Sequence, residues 1–353
     1  MKVGLFNPYF DTMGGGERYF LTTAEYFLQK GYQTDIFWNG DQDVTKIKTR
    51  FNLDLTGVNF VWDIFTNENN RLKKFFLTAK YDLIFFISDG SIPFSLAKKN
   101  ILHFQVPFNH KSHRNIQNTI KLRAMSHIVC NSAFTKSYID KSYGVESQVI
   151  YPPVDIESFF PKKKENIILS VGRFFGPTHP KKQEVLIREF VSLCKKGLKN
   201  WRLVLIGGLT AGGEGEIERL RQKSLGHPVR IITDSSFAVL KEHYAKAKIY
   251  WHATGFGEDL EKFPEKAEHF GITTVEAMSA GCVPIVFAGG GQTEIVREGM
   301  DGFFWGSTQE LADKTEKLAD STTLLRSLSK QAIFRSQIFS KKEFFKSWDK
   351  LLD

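Results

Sequence analysis

The sequence predicts an α/β protein of two doubly wound, Rossmann-like domains, and three observations carry that prediction. Short apolar runs alternate with amphipathic stretches along nearly the whole chain, the pattern of repeated βαβ units around a parallel sheet. At 353 residues the chain has room for two cores of ordinary size. Its texture breaks once, where the rigid Tyr151-Pro-Pro-Val-Asp155 gives way to the polar Pro161-Lys-Lys-Lys-Glu165, after which the alternation restarts. The expected units are residues 1–160, residues 161–335 and a docking helix within residues 336–353.

Each element has its own reason. Val3–Phe6 reads as a buried strand, followed by the turn Gly14-Gly15-Gly16 and a helix from Glu17 to Lys30 that Gly31 terminates. Thr34–Trp38, Leu83–Ile87, Ile101–Phe104 and His127–Cys130 are further apolar runs of strand length. Asn131-Ser132 supplies a cap for a helix over Ala133–Tyr143. In the second domain the expected strands are Asn166–Val171, Arg202–Ile206, Val229–Thr233, Ile249–His252 and Pro284–Phe287. Phe344, Phe345, Trp348, Leu351 and Leu352 recur at helical spacing over Ser340–Leu352, which marks a helix that docks by one face. Ligands of such sheets bind beyond the carboxyl ends of the strands, so the expected site is the cleft between the domains.

Composition narrows the partners. The formal net charge of +9 favours anionic ones, and residues 95–141 alone carry eight Lys/Arg against one Asp. That stretch has no nucleic-acid motif and no regular interleaving of aromatic residues, so no nucleic-acid partner is expected. It is compatible with an acidic acceptor or with peripheral contact at an anionic membrane. Cys130, Cys194 and Cys282 are odd in number and widely spaced, which points to a reducing, cytoplasmic location. The N-terminus reads as a strand rather than a leader, and no run approaches the roughly 20 apolar residues of a membrane span.

The most informative string is Glu268-His-Phe-Gly-Ile-Thr-Thr-Val-Glu276, followed by Ala-Met-Ser-Ala-Gly-Cys-Val-Pro284. Two carboxylates flank a glycine that lets backbone approach a ligand, with a helix opening near the second and ending at Gly281. Two readings of Glu276 stand side by side: a ligand contact, or the far end of a capping box begun by Thr273. Helix-start N–H groups here would attract phosphate. Asp41-Gln-Asp43 has the form of a metal-binding D-x-D triplet, but it follows only an early strand and reads as a solvated turn. His110 and His113 read as surface or acceptor-side residues in a basic loop. Catalytic metal-ligand spacing is absent, and neither a metal nor a cofactor is expected.

The Glu268-x7-Glu276 string resembles the signature of the family 4 retaining glycosyltransferases of GT-B fold, also called group 1. Four other matches fall in the family's order: Gly14-Gly15-Gly16-Glu17-Arg18, Asn131-Ser132 with Val149–Asp155, Ser170-Val-Gly-Arg173, and Gly289-Gly-Gly-x-x-Glu294. The resemblance implies two Rossmann-like domains facing across a cleft, with the last helix returning to the N-terminal domain. Residues 1–160 would then be the acceptor domain and residues 161–335 the donor domain. It implies retaining transfer of a sugar from a nucleotide-diphosphate sugar, UDP- or GDP-linked and GDP-mannose for example. The acceptor would be a glycan or lipid-linked molecule in cell-surface polysaccharide or glycolipid synthesis.

Carried over position by position, Glu276 matches the residue that holds the nucleotide ribose and Glu268 the one beside the reacting sugar carbon. Phe270, Gly271 and Ile272 would meet sugar hydroxyls through their backbone, and Thr273 the diphosphate. Arg173 matches the diphosphate arginine; its lysine partner is Lys181, with Lys182 as rival because the loop before them is lengthened. Gly14 and Gly15 would border the donor, and His103 resembles a histidine that contacts the donor sugar, against the reading of a hydrogen-bonded strand-end histidine. Two alternatives stand beside it: a GT-B nucleotide-sugar epimerase, which the Glu268-x7-Glu276 string disfavours, and a non-catalytic nucleotide-sugar binder, which the intact Glu268, Arg173 and Lys181 disfavour.

Overall fold

The computed structural model describes residues 1–9, 14–39, 51–109, 115–174, 181–209 and 212–353. Asp41, Asp43, His110 and His113 lie outside the described residues, as does most of the lengthened loop before Lys181. The chain divides into Met1–Pro153 with Phe344–Asp353, and Val154–Glu343.

In the first unit the described strands are β1 (Lys2–Phe6), β2 (Gln33–Phe37), β3 (Val58–Val61), β4 (Leu83–Ser88), β5 (Lys99–Phe104), β6 (His127–Cys130) and β7 (Gln148–Val149). They form one parallel sheet in the order β3-β2-β1-β4-β5-β6-β7. Strand alternation splits the central residues between two cores: Leu83, Phe85 and Ile87 enter one, Ile84 and Phe86 the other. Helix α1 (Gly15–Gln29) covers the first face through Tyr19, Phe20 and Phe27. Helices α2 (Arg71–Thr78) and α3 (Ile116–Arg123) lie on the opposite face, where Leu77 and Leu122 join one cluster.

The terminal helix, Lys341–Leu352, completes the α1 face. Trp348 meets Phe85 at 5.4 Å and Phe27 at 5.6 Å between ring centroids. Asp349 accepts from the Tyr26 hydroxyl at 2.8 Å and pairs with Lys30 at 2.5 Å. Burial of Phe344, Trp348 and Leu351 stabilises this docking by about 1.5–3 kcal/mol for each side chain.

The second unit repeats the plan with β8 (Glu165–Val171), β9 (Arg202–Gly207), β10 (Val229–Thr233), β11 (Ala247–His252), β12 (Val283–Phe287) and β13 (Phe303–Trp305), ordered β10-β9-β8-β11-β12-β13. All are parallel. Residues 154–160 and 336–343, expected outside this unit, belong to it. The reason is local: the Val154 N–H donates to the Phe339 carbonyl at 2.9 Å, and Phe159 packs edge-on against Tyr244 at 5.2 Å.

Candidate active site

The polar centre of the second unit forms where β8, β11 and β12 end. β11 finishes at His252, whose main-chain carbonyl accepts from the buried Trp305 indole at 3.0 Å. Its ring Nε2 lies 3.0 Å from Glu268 Oε2, and Lys181 Nζ lies 2.7 Å from the same oxygen. Burial alone would push the Glu268 carboxyl up; the Lys181 charge and the His252 hydrogen bond outweigh it and hold the group well below the usual carboxylate range. Burial also lowers the His252 ring, against the pull of Glu268, so at pH 7 a neutral imidazole donates its Nε2–H to a permanent carboxylate. The Gly291 N–H donates to the Glu268 carbonyl at 2.8 Å and fixes the backbone behind it.

Gly271 follows on this loop with φ +124°, and a side chain there would meet the Gln292 amide at 2.5 Å. Only glycine suits that position. It caps helix α6 (Ile272–Ser279), numbered after α4 (Gln183–Lys196) and α5 (Phe237–Lys246). The N–H groups of Ile272 and Thr273 open that helix, a polarity suited to an anion. Phe270 does not face solvent: its ring is buried edge-on against Phe339 at 5.4 Å. Its backbone alone remains available for the expected role.

Glu276 does not open the helix, as its sequence position implied; it lies one turn inside, after the cap at Gly271. A capping box begun at Thr273 is thereby excluded, since Thr273 is already helical. Glu276 is buried, and its carboxylate accepts from the Tyr244 hydroxyl of α5 at 2.9 Å. Burial and the adjacent carboxylate hold the Tyr244 phenol well above its usual value, so it remains a donor. The Tyr250 hydroxyl donates to Thr273 Oγ1 at 2.8 Å. Two buried tyrosines therefore carry the opening of α6 from below.

Arg173 and Lys181 stand on the β8 side. Gly207 permits the close crossing of β9 and the β8 loop, where an added side chain would lie 2.0 Å from the Gly172 carbonyl. The Lys181 stem packs on Gly172, Arg173 is the next residue, and Gln183 donates to the Arg173 carbonyl at 2.9 Å. The Arg173 guanidinium is exposed and has no acidic partner among the described residues. Lys182, in left-handed conformation at the start of α4, turns to Glu258 at 2.6 Å, which Lys266 also contacts at 2.8 Å. The two candidate lysines are thus separated: Lys181 faces Glu268, whereas Lys182 holds the loop that carries Glu258 and Lys266.

The other expected positions lie in the first unit. Gly14 caps α1, its N–H bonded to Glu17 Oε2 at 2.7 Å, and Gly15 is the first helical residue, exposed. His103 departs from both expectations. It is fully buried, stacked on Tyr19 at 3.9 Å, and neither ring nitrogen has a partner among the described residues. In this structure it is a core residue that reaches no surface. His252, Tyr244 and Tyr250 were not singled out in the sequence; a histidine closing a parallel strand was the available signal for the first.

The profile described as Glycosyltransferase Family 4 matches residues 13–158, and that described as Glycosyl transferases group 1 matches residues 153–334, half of the chain. A GDP-Man:Man(3)GlcNAc(2)-PP-Dol alpha-1,2-mannosyltransferase of Xenopus laevis is 29% identical over 240 residues, covering 62% of this chain and 46% of that protein. The chain therefore spans about half the length of the curated relatives it matches. Among solved structures, a glycosyltransferase from Rickettsia africae aligns with TM-score 0.76 at 18% identity, covering 100% of this chain and 98% of its own. Anabaena HepE, solved with UDP and glucose, aligns with TM-score 0.70 at 17% identity over 100% and 99%. The two-sheet architecture is the GT-B fold, and the chain belongs to the group 1 glycosyl transferases.

Proposed function

We propose that this protein is a retaining, metal-independent glycosyltransferase that moves a sugar from a nucleotide-diphosphate donor to a lipid-linked acceptor. The observation that carries the reading is Glu268, kept ionised between Lys181 and His252 beside the glycine-capped opening of α6. Transfer needs the departing nucleoside diphosphate stabilised as its charge develops. The exposed Arg173 guanidinium, the Lys181 ammonium and the N–H groups of Ile272 and Thr273 supply that charge complement. The sugar carbon becomes oxocarbenium-like, and the Glu268 carboxylate stabilises it. Glu276, held by Tyr244, takes the ribose hydroxyls.

The named activity of the Xenopus relative favours GDP-mannose as donor and a diphosphate-lipid oligosaccharide as acceptor, while the bound UDP of HepE keeps uridine donors in the test. We place the protein at the cytoplasmic face of a membrane, in glycolipid or cell-surface polysaccharide synthesis; three free cysteines accord with a reducing compartment. The test is transfer from a panel of GDP- and UDP-sugars to a short-chain lipid-diphosphate acceptor, comparing wild type with Arg173→Ala. The variant is expected to lose about 10²–10³-fold in kcat/KM. Unchanged transfer would remove Arg173 from the diphosphate site.

A further inference from the structure

We propose that the outer face of α2 and α3 docks the first unit onto an anionic lipid bilayer. Both helices pack on the same side of the sheet, through Leu77 and Leu122. Each presents the opposite way a pair of large apolar side chains one turn apart: Leu72 (66% exposed) and Phe76 (73%) on α2, Ile116 (80%) and Ile120 (58%) on α3. Leaving four such side chains in water is unfavourable without a partner. The flanking charge identifies the partner's chemistry. Lys80, Lys121 and Arg123 have no acidic partner among the described residues, whereas on α2 itself Lys73 pairs with Glu68 at 2.6 Å and Lys74 donates to the Phe65 carbonyl at 3.0 Å.

Apolar side chains bordered by cations match the layered chemistry of a bilayer surface, acyl chains beneath anionic headgroups. A second copy of the chain fits less well, because two basic faces on a protein of net charge +9 repel. No helix among the described residues is long and apolar enough to cross a membrane. The inference deepens the lipid-linked acceptor of the proposed function and rests on it for its purpose, not for its geometry.

The experiment is co-sedimentation with phosphatidylcholine vesicles, with or without roughly a third phosphatidylglycerol, at about 0.15 M salt. Wild type is expected to bind the anionic vesicles. The quadruple variant Leu72→Ser, Phe76→Ser, Ile116→Ser, Ile120→Ser should lose about tenfold or more of that binding while keeping transfer to a soluble short-chain acceptor. Should the quadruple variant fold poorly, the pair Lys121→Glu, Arg123→Glu decides: it should weaken binding to anionic vesicles and leave the neutral background unchanged. Absence of wild-type binding, full binding by the variants, or a dimer that the quadruple variant converts to monomer would each overturn the proposal. If the variants lose vesicle binding but wild type shows no sugar transfer, the docking surface stands and the enzymatic reading fails.

Discussion

Two histidines near the carboxyl ends of parallel strands have opposite fates. His252 ends β11 with its ring against a carboxylate; His103 sits near the end of β5 with its ring against Tyr19 and no polar partner. Burial depresses both rings. The difference lies in what accompanies them. At His252, Lys181 and Glu268 form a compensated polar cluster in which every member has a defined charge. At His103 the protein holds a neutral imidazole as though it were an apolar ring. Strand-end position and burial therefore do not make a site; convergence of opposite charges does.

The largest test of that contrast is Glu268→Gln. It removes the negative charge that Lys181 and His252 share while keeping shape, and transfer is expected to fall by about 10²–10³-fold. Steady-state rates on the donor established by the panel would show it. A loss smaller than about tenfold would mean that the charge of this carboxylate is not used in the transition state.

The corresponding change in the first unit, His103→Phe, should leave transfer near wild type and alter the pH dependence of stability instead. The folded ring is held down at about 3 by burial, against 6.5 for the free group. The unfolded chain therefore binds the additional proton, so stability is fully present above the unfolded value and is lost as pH falls toward the folded one. At about pH 4.5, roughly two units below the unfolded value, that loss is about 3 kcal/mol. Denaturant titrations at neutral and acid pH should show the variant spared about that amount. An identical acid dependence in both proteins would place the titrating group elsewhere.

These contrasts also explain what could be read from the chain alone. Continuous buried strands such as Leu83–Ser88 and Val283–Phe287 were legible because both faces are apolar. The short edge strands Val58–Val61 and Phe303–Trp305 were not singled out; the first is half exposed, and three residues set no period. At the site, residues close in sequence were legible: Glu268 and Gly271 lie on one loop and Thr273 on the helix start that follows it. Partners that arrive from other elements were not, since nothing local ties Tyr244 to Glu276 across 32 residues. The role given to His103 came with the resemblance, and burial between α1 and the sheet overrides it. Helical phase explains the correction at Glu276: a glycine with positive φ caps the helix earlier than the threonine that a cap preference would select.

The smallest effect sharpens the comparison at the level of single hydroxyls. Tyr19 and Tyr244 are both fully buried, and burial raises both phenols well above their usual value. The Tyr244 hydroxyl donates to Glu276, whereas the Tyr19 hydroxyl has no partner among the described residues. Removing an unpartnered buried hydroxyl costs little and relieves a desolvated group, so Tyr19→Phe should leave thermal stability unchanged or slightly raised. Tyr244→Phe deletes one charge-assisted bond of about 1.5 kcal/mol and lets the Glu276 carboxylate turn away from its set direction. If Glu276 holds the donor ribose, the loss should appear as a donor KM raised about five- to tenfold with kcat little changed, because ribose binding is equal in ground and transition states. A fall in kcat at constant KM would instead assign Glu276 to the reacting end of the donor. Equal behaviour of the two phenylalanine variants would mean that the carboxylate keeps its place without Tyr244.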